Sequence, residues 1–501
     1  MRSSQAKDHS VAGAAPGPHP EPRPLRSEHA RGSAGGAHGA AGGTARPGGG
    51  RPGPVRLTED PRLPRFPLDM DDLHVIDTEV SAAVGRVLED HLAERVERAA
   101  ALDPVFGHDL AERVARFTLD GGKRIRSRFV WWALRACGGG PREAEAALRV
   151  GAALELIQTG ALVHDDVMDD ARLRRGRPAL HVDVAAQYAD SVPRELGPRF
   201  GEAAAILAGD LSLAWADDLL ASVGTAPVAV RDLWSAMRTE MVAGQYLDLH
   251  GQATSSRSLA RAIRAACLKS ALYSVERPLA LGAALAGADA ARSEALCAAG
   301  RRVGIAFQLR DDLADVFGDP RRTGKPVGGD IRAGKPTYLV ALAQARAEAT
   351  GDRHGLAVLR RSLGRADLSD NRLEEVRDVL VTTGARTIVE ARIERLVAQG
   401  MRHLDSVPLE PDARRRLREL LHATAGTASG GTAPGGTAPG GGTAPAAAPS
   451  SVPSASSAPS APSASAVSPG APPGEVPPPG TQDDGTHASL LLAAGAEGAV
   501  R

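Results

Sequence analysis

The stretch Val150-Gly-Ala-Ala-Leu-Glu-Leu-Ile-Gln-Thr-Gly-Ala-Leu-Val-His164, running directly into Asp165-Asp166-Val167-Met168-Asp169-Asp170, decides the fold class. Its apolar positions Leu154, Ile157 and Ala161 follow the spacing of a helix face. Similar windows recur at 202–221, 230–249, 258–286, 293–316 and 371–405, and strand-like alternation is nearly absent. Turn residues cluster at Gly138–Pro141, Gly197-Pro198, Gly224–Pro227 and Gly318–Pro320. The pattern predicts an all-α fold, one large bundle of about ten helices. Pro278 interrupts a helical run and should kink or end it.

Outward from this core the composition changes. Residues 1–70 are dominated by Gly, Ala, Pro, Arg and His, and 424–501 by Ala, Pro, Gly, Ser and Thr, with GGTAP recurring at Gly430, Gly435 and Gly441. Such segments bury too little apolar surface to offset the entropy of ordering, so both read as disordered tails around one domain at 71–423. The C-terminal tail reads as solubilising. A sharper alternative is that its end, with Leu490-Leu-Leu492, docks a partner such as a protein shell or an enzyme.

Charge is balanced, 60 Lys plus Arg against 60 Asp plus Glu, which gives no support to a nucleic-acid partner. Cys137, Cys267 and Cys297 are far apart in sequence and fit reduced, buried side chains better than a disulfide framework or a zinc site. The first residues lack the apolar run of a signal peptide, and no stretch reads as long and apolar enough to span a bilayer. The expected location is cytoplasmic.

Chemistry concentrates in two acidic clusters. On a helix, Asp165 and Asp169 stand one above the other and repel, a repulsion that divalent cations would offset. Carboxylate oxygens suit Mg²⁺, whose coordination is often completed by substrate phosphates. A lone cluster of this kind is more often a solvated acidic face. However, Gln308-Leu-Arg-Asp311-Asp312-Leu-Ala-Asp315 repeats the DDxxD spacing after a second apolar helical run, Val303–Phe307. Two such clusters facing each other would cage several Mg²⁺ ions around a diphosphate.

Basic groups match them. Gly121-Gly122-Lys123-Arg124-Ile125-Arg126 opens a helix, where free N–H groups attract anions. Arg174-Arg175-Gly176-Arg177 follows the first cluster, Lys269-Ser270 lies within a helix, and Lys325 and Lys335 punctuate a Gly-rich loop. Singly, each is more often a surface charge.

Together, the two DDxxD motifs, GGKR and RRG resemble the trans-isoprenyl diphosphate synthase (polyprenyl synthetase) family, over about residues 75–420, and geranylgeranyl diphosphate synthases in particular. The resemblance implies an all-α fold around a deep central cavity, usually a homodimer. It implies Mg²⁺-dependent, head-to-tail condensation of isopentenyl diphosphate with an allylic diphosphate. It assigns Lys123, Arg126, Gln158 and Arg175 to the isopentenyl diphosphate, and Arg174, Lys269, Ser270, Gln308, Lys325 and Lys335 to the allylic diphosphate. Asp165, Asp169 and Asp311 become the principal metal ligands, supported by Asp166, Asp312 and Asp315, with Lys269 and Arg174 acting in catalysis. Gln245 and Asp248 match a cavity-lining motif and read equally well as buried polar groups that tie helices together.

Two departures stand out. Gln158 occupies a position where the family often has His, and Ser127 one where many members have Pro. Gln still donates a hydrogen bond but carries no charge. Five and four residues before Asp165, the small Gly160 and Ala161 should leave the chain-length pocket open, with Ile157 and then Leu154 as its floor. That favours a twenty-carbon product over farnesyl, with longer chains as an alternative. A class I terpene cyclase is disfavoured by Asp311-Asp312-Leu-Ala-Asp315 and by GGKR, and a non-catalytic subunit by the retention of both acidic motifs.

Overall fold

The structure, a computed structural model, describes residues 67–224, 227–254, 258–319 and 327–426. Lys325 and the expected tails, apart from their innermost few residues, lie outside these. The described residues form α1 (Met70–Thr78), α2 (Val80–Leu102), α3 (Pro104–Phe106), α4 (Glu112–Leu119), α5 (Ile125–Ala136) and α6 (Pro141–Met168). A ribbon of β1 (Leu173–Arg174) and β2 (Arg177–Pro178) precedes α7 (Leu180–Gln187), α8 (Gly197–Ala221), α9 (Val228–Ala253) and α10 (Leu259–Ala266). Then come α11 (Arg277–Leu285), α12 (Ala290–Phe317), α13 (Gly329–Ala333), α14 (Tyr338–Thr350), α15 (Arg353–Ser362), α16 (Asp370–Thr382), α17 (Ala385–Asp405) and α18 (Pro411–Ala425). The all-α expectation holds. The helices outnumber the ten expected because segments as short as α3 and α13 carry no readable periodicity.

Helix α6 is the core of the bundle. Pro141 opens it where a missing N–H costs nothing, and Glu143 caps it by accepting from Gly140 N at 3.0 Å. Leu148, Leu154, Leu156 and Ile157 are all buried, so apolar residues surround the helix instead of striping one side. This corrects one expectation: by length and composition α6 is apolar enough to cross a membrane. In this fold 72% of its most apolar window is instead buried against other helices. It packs closely on α8, where Gly209 leaves room for His164; a Cβ on Gly209 would lie 2.1 Å from His164 Nε2.

Helix α12 plays the matching part on the other side, packed on α17 and on a π-helical stretch, Cys267–Glu276. Pro278 explains that stretch. Lacking an N–H, it cannot donate back to the preceding turn, and the chain between α10 and α11 is wound more loosely. Widened turns of this kind recur at functional sites, and this one carries Lys269, Tyr273 and Ser274.

Candidate active site

Helix α6 ends at Met168, so Asp165 and Asp166 lie in its last turn and Asp169 is its C-cap, donating its N–H to the Asp165 carbonyl at 2.9 Å. Carboxylates there meet the negative end of the helix dipole, which makes a nearby cation a requirement of the arrangement. Asp166 is buried and receives Arg174 Nε at 2.8 Å, while Asp166 Oδ2 is buried without a partner. Burial raises the Asp166 pKa even against the Arg174 guanidinium.

The second cluster is built by α12 and α13. Asp312 is buried and accepts from Gln308 Nε2 at 2.8 Å. Asp315 accepts from Asp330 N at 3.0 Å, so the start of α13 is held against α12. Asp330 brings a further carboxylate to the site. Burial, and next the Asp315 charge, raise its pKa to about 7; burial and then Asp330 raise that of Asp312 as well. Asp311 is exposed.

Two lysines stand among these carboxylates, and one of them, Lys335, links the two clusters. Lys335 Nζ lies 2.8 Å from Asp169 Oδ2 and 3.9 Å from Asp330 Oδ1. Lys269 Nζ lies 3.2 Å from Asp165 Oδ1 and 2.9 Å from Asp248 Oδ2. Burial opposes charge on both ammonium groups, yet the carboxylates outweigh it and raise both pKa values. Through Lys335, Asp330 and Asp315 the ends of α6 and α12 converge on one region. Gln245 stands nearby and donates to Met168 Sδ at 3.3 Å.

A basic wall sits beside them. Arg175 and Gly176 both have positive φ, 53° and 75°, and form the tight turn of the β1–β2 ribbon. Arg175 reaches from that turn to the carbonyls of Phe117 and Asp120, each at 3.2 Å, with its guanidinium 5.0 Å from the Phe117 ring centroid. The following Gly121-Gly122 leads to an exposed Lys123. Arg124, at φ 46°, is buried and donates to the Ser81 carbonyl at 2.8 Å. That contact turns Arg126 inward, over the Tyr273 ring at 4.2 Å and onto Ser274 Oγ at 2.8 Å. Arg126 Nε and Gln158 Oε1 are buried without partners. Ser127 Oγ lies 2.9 Å from the Gly151 carbonyl and 2.8 Å from Glu155 Oε1, sharing its proton between them. Ser270 is half-buried on the π-helical stretch.

The chain-length positions separate. A Cβ at Gly160 would meet the Gly209 carbonyl at 3.0 Å and the Leu213 side chain at 3.1 Å, so this residue serves the α6–α8 contact. The expectation of an open turn at Gly160 therefore does not hold. Ala161 is half-buried and lies one helical turn before Asp165, on the same face. Ile157 and Leu154 are buried deeper in α6.

The donor set fits a hard divalent cation. It is all carboxylate, Asp166 carries an orphaned buried oxygen, and the Asp312–Asp315–Asp330 group holds more negative charge than its own lysine neutralises. Among the described residues no three acidic, His or Cys side chains converge tightly enough to hold an ion by themselves. Substrate oxygens would have to complete the coordination.

Comparison with known proteins decides the family. The Polyprenyl synthetase family matches residues 108–378. The chain belongs to this family. The polyprenyl synthetase is 32% identical over 303 residues to the (2E,6E)-farnesyl diphosphate synthase of Mycobacterium tuberculosis H37Rv, covering 60% of the chain and 78% of that relative. It is 34% identical over 249 residues to the geranylgeranyl diphosphate synthase of Methanosarcina mazei, covering 48% and 70%. Among solved structures it resembles geranylgeranyl pyrophosphate synthase from Corynebacterium glutamicum complexed with isoprenyl diphosphate and magnesium. That match has TM-score 0.64 and 36% identity, and covers 68% of this chain and 98% of that one. This polyprenyl synthetase is thus a prenyltransferase of the prenyl diphosphate synthase type. Sequence reasoning missed Asp330, Tyr273 and Ser274. Asp330 had a signal, an acid placed between Lys325 and Lys335 in the Gly-rich loop; the other two look like ordinary helix residues.

Proposed function

We propose that this polyprenyl synthetase condenses isopentenyl diphosphate with allylic diphosphates, with Mg²⁺, to make geranylgeranyl diphosphate. The observation that carries the reading is the junction of the two acidic clusters by Lys335, with Lys269 on Asp165, beside a basic wall in which Arg126 Nε is a buried donor without a partner. Asp165, Asp169 and Asp311 would hold magnesium, supported by Asp166, Asp312, Asp315 and the newly placed Asp330. Bound there, magnesium neutralises the charge that grows on a departing diphosphate.

The chain's own residues do the rest. Lys269 and Lys335 already stand at the carboxylates and exchange part of that contact for the oxygens of the allylic diphosphate. Arg126 Nε and Gln158 meet the diphosphate of the acceptor together with Lys123 and Arg175, fixing its double bond next to the allylic carbon. Arg174 and Gln308 hold Asp166 and Asp312 in place, a positioning role that precedes any contact with substrate. The apolar bundle excludes water that would quench the allylic cation.

Product length follows from Ala161, whose small side chain leaves the first turn below the metals open, and from Ile157 as the floor. A homodimer is also part of the proposal. Phe200, Ile206 and Leu207 on α8 and Val242 and Tyr246 on α9 expose large apolar surface, Tyr246 to 65%. Incubation of the purified chain with Mg²⁺, isopentenyl diphosphate and dimethylallyl, geranyl or farnesyl diphosphate tests the reading. Extraction should give a twenty-carbon product. No elongation from any primer sinks the proposal, whereas a fifteen-carbon product overturns only the length.

A further inference from the structure

Helix α17 carries none of the residues assigned to the diphosphate centre, yet it holds a charged group in the core. Arg392 is buried there and makes no ion pair among the described residues. Its guanidinium donates to Tyr338 Oη at 2.8 Å and stands 4.8 Å from the centroid of the Tyr338 ring. Like charge stands nearby: burial, and then Arg301 and Arg392, hold the Arg302 pKa below the usual value. A buried guanidinium without an acid costs stability, and an apolar side chain of similar volume would fill the same space more favourably. Packing therefore does not account for Arg392, and its contact with Tyr338 is what remains to explain it.

Tyr338 is the first residue of α14 and lies three residues beyond Lys335. The segment between them is stiff. Pro336 fixes its own φ, and a Cβ on Gly251 of α9 would meet Pro336 Cγ at 3.1 Å, so the loop is pressed against α9. Thr337 donates its N–H to the Lys335 carbonyl at 2.8 Å and caps α14 by accepting from Val340 N at 3.3 Å. On its other side, Lys335 donates its own N–H to the Asp330 carbonyl at 2.9 Å. A movement of Tyr338 is thus passed to the Lys335 backbone with little slack between them. Arg392 supplies the only hydrogen bond to Tyr338 Oη among the described residues.

We propose that Arg392 is a positioning residue for the condensation: by holding Tyr338 it sets the place of Lys335, whose ammonium stands at Asp169. The assignment, which rests on the allylic role proposed for Lys335, concerns the allylic diphosphate alone. The acceptor wall is built by other elements, with Arg126 on α5 and Gln158 on α6. Placement matters here, because a misplacement of about 1 Å at a reacting centre can cost on the order of a hundredfold.

Calorimetric titration of the full chain with inorganic diphosphate, in the presence of Mg²⁺, tests the coupling without turnover. Tyr338→Phe and Arg392→Met should each raise the dissociation constant about fivefold, the scale of one hydrogen bond. In a Lys335→Met background the same changes should shift it by less than about twofold, because the group they position is gone. A merely structural role would give the same shift with or without the Lys335 ammonium. Tyr338→Phe keeps the ring and loses only the hydroxyl, so it carries the test alone if Arg392→Met fails to fold. An unchanged constant in Tyr338→Phe overturns the proposal, as does a shift of equal size in the Lys335→Met background. Coupled binding in a chain that elongates no primer leaves Arg392 its role and removes the functional reading instead. No saturable binding to the unaltered chain overturns both.

Discussion

Lys335 Nζ lies 2.8 Å from Asp169 Oδ2, so a residue beyond α12 neutralises the acid at the end of α6. Through Lys335 the first DDxxD motif reaches Asp330, whose backbone N–H donates to Asp315 of the second. Its position makes Lys335 more than a counter-ion, since the same ammonium would meet the allylic diphosphate. Replacing Lys335 with Met keeps the length of the side chain and removes the charge. The expected loss is about 10²–10³-fold in kcat, the scale of one electrostatic donor at a reacting centre. Steady-state kinetics with a saturating allylic primer check it, and a kcat within a few-fold of wild type would count against the role.

Metal removal should separate binding from folding. The carboxylates of Asp165, Asp169 and Asp311 form no complete site among themselves, so Mg²⁺ and inorganic diphosphate should stabilise the protein jointly and neither strongly alone. At about one hundred times the dissociation constant, joint binding contributes about 2.7 kcal/mol. Thermal unfolding should show the increase with both present, and EDTA should abolish it. Asp165→Asn should shrink it. An equal increase with diphosphate and EDTA would show that the anion needs no metal there.

The helical fold was legible because α6 and α12 carry long apolar runs, and the motifs were legible because acidic repeats at fixed spacing are rare. What escaped the sequence depends on packing. Gly160 and Ala161 are adjacent and both small, and only the approach of α8 shows that Gly160 faces Gly209 and Leu213. Arg174 and Gln308 read as diphosphate contacts, but burial of Asp166 and Asp312 requires donors, and these two side chains supply them. The π-helical stretch is invisible to periodicity because its register change follows from Pro278 and the tertiary contacts around it. Asp330 comes from a turn whose path is fixed by Asp315, a long-range contact no local pattern encodes.

His91 should give the fold a pH dependence distinct from the site's. It is buried on α2 with Nε2 unpartnered, beside Arg95, which pairs with Asp218 at 3.2 Å, and near Glu94. Burial first, and Arg95 second, push its pKa below the ordinary 6.5. The folded protein therefore binds this proton less readily than the unfolded chain. Its stability is intact above pH 6.5 and falls as acidification continues toward the lower folded pKa. In His91→Gln the decline should be shallower. Melting temperatures measured across this window test the sign, and parallel slopes in the two proteins would exclude His91 as the source.

Product length provides the sharpest contrast between two adjacent residues. Ala161 lies a turn before Asp165 on the same face, so a phenylalanine there projects toward the space the growing tail would occupy. Ala161→Phe should shorten the product from twenty to fifteen carbons while leaving the first condensation largely intact. At Gly160 the same side chain meets the Gly209 carbonyl at 3.0 Å, which is backbone and cannot swing away. Gly160→Phe should therefore act mainly by forcing α6 and α8 apart, costing about 1–3 kcal/mol or more as overpacking. Product extraction and thermal unfolding of both variants separate the effects. If Gly160→Phe shortened the product at unchanged stability while Ala161→Phe did not, the assignment of the two faces of α6 would be reversed.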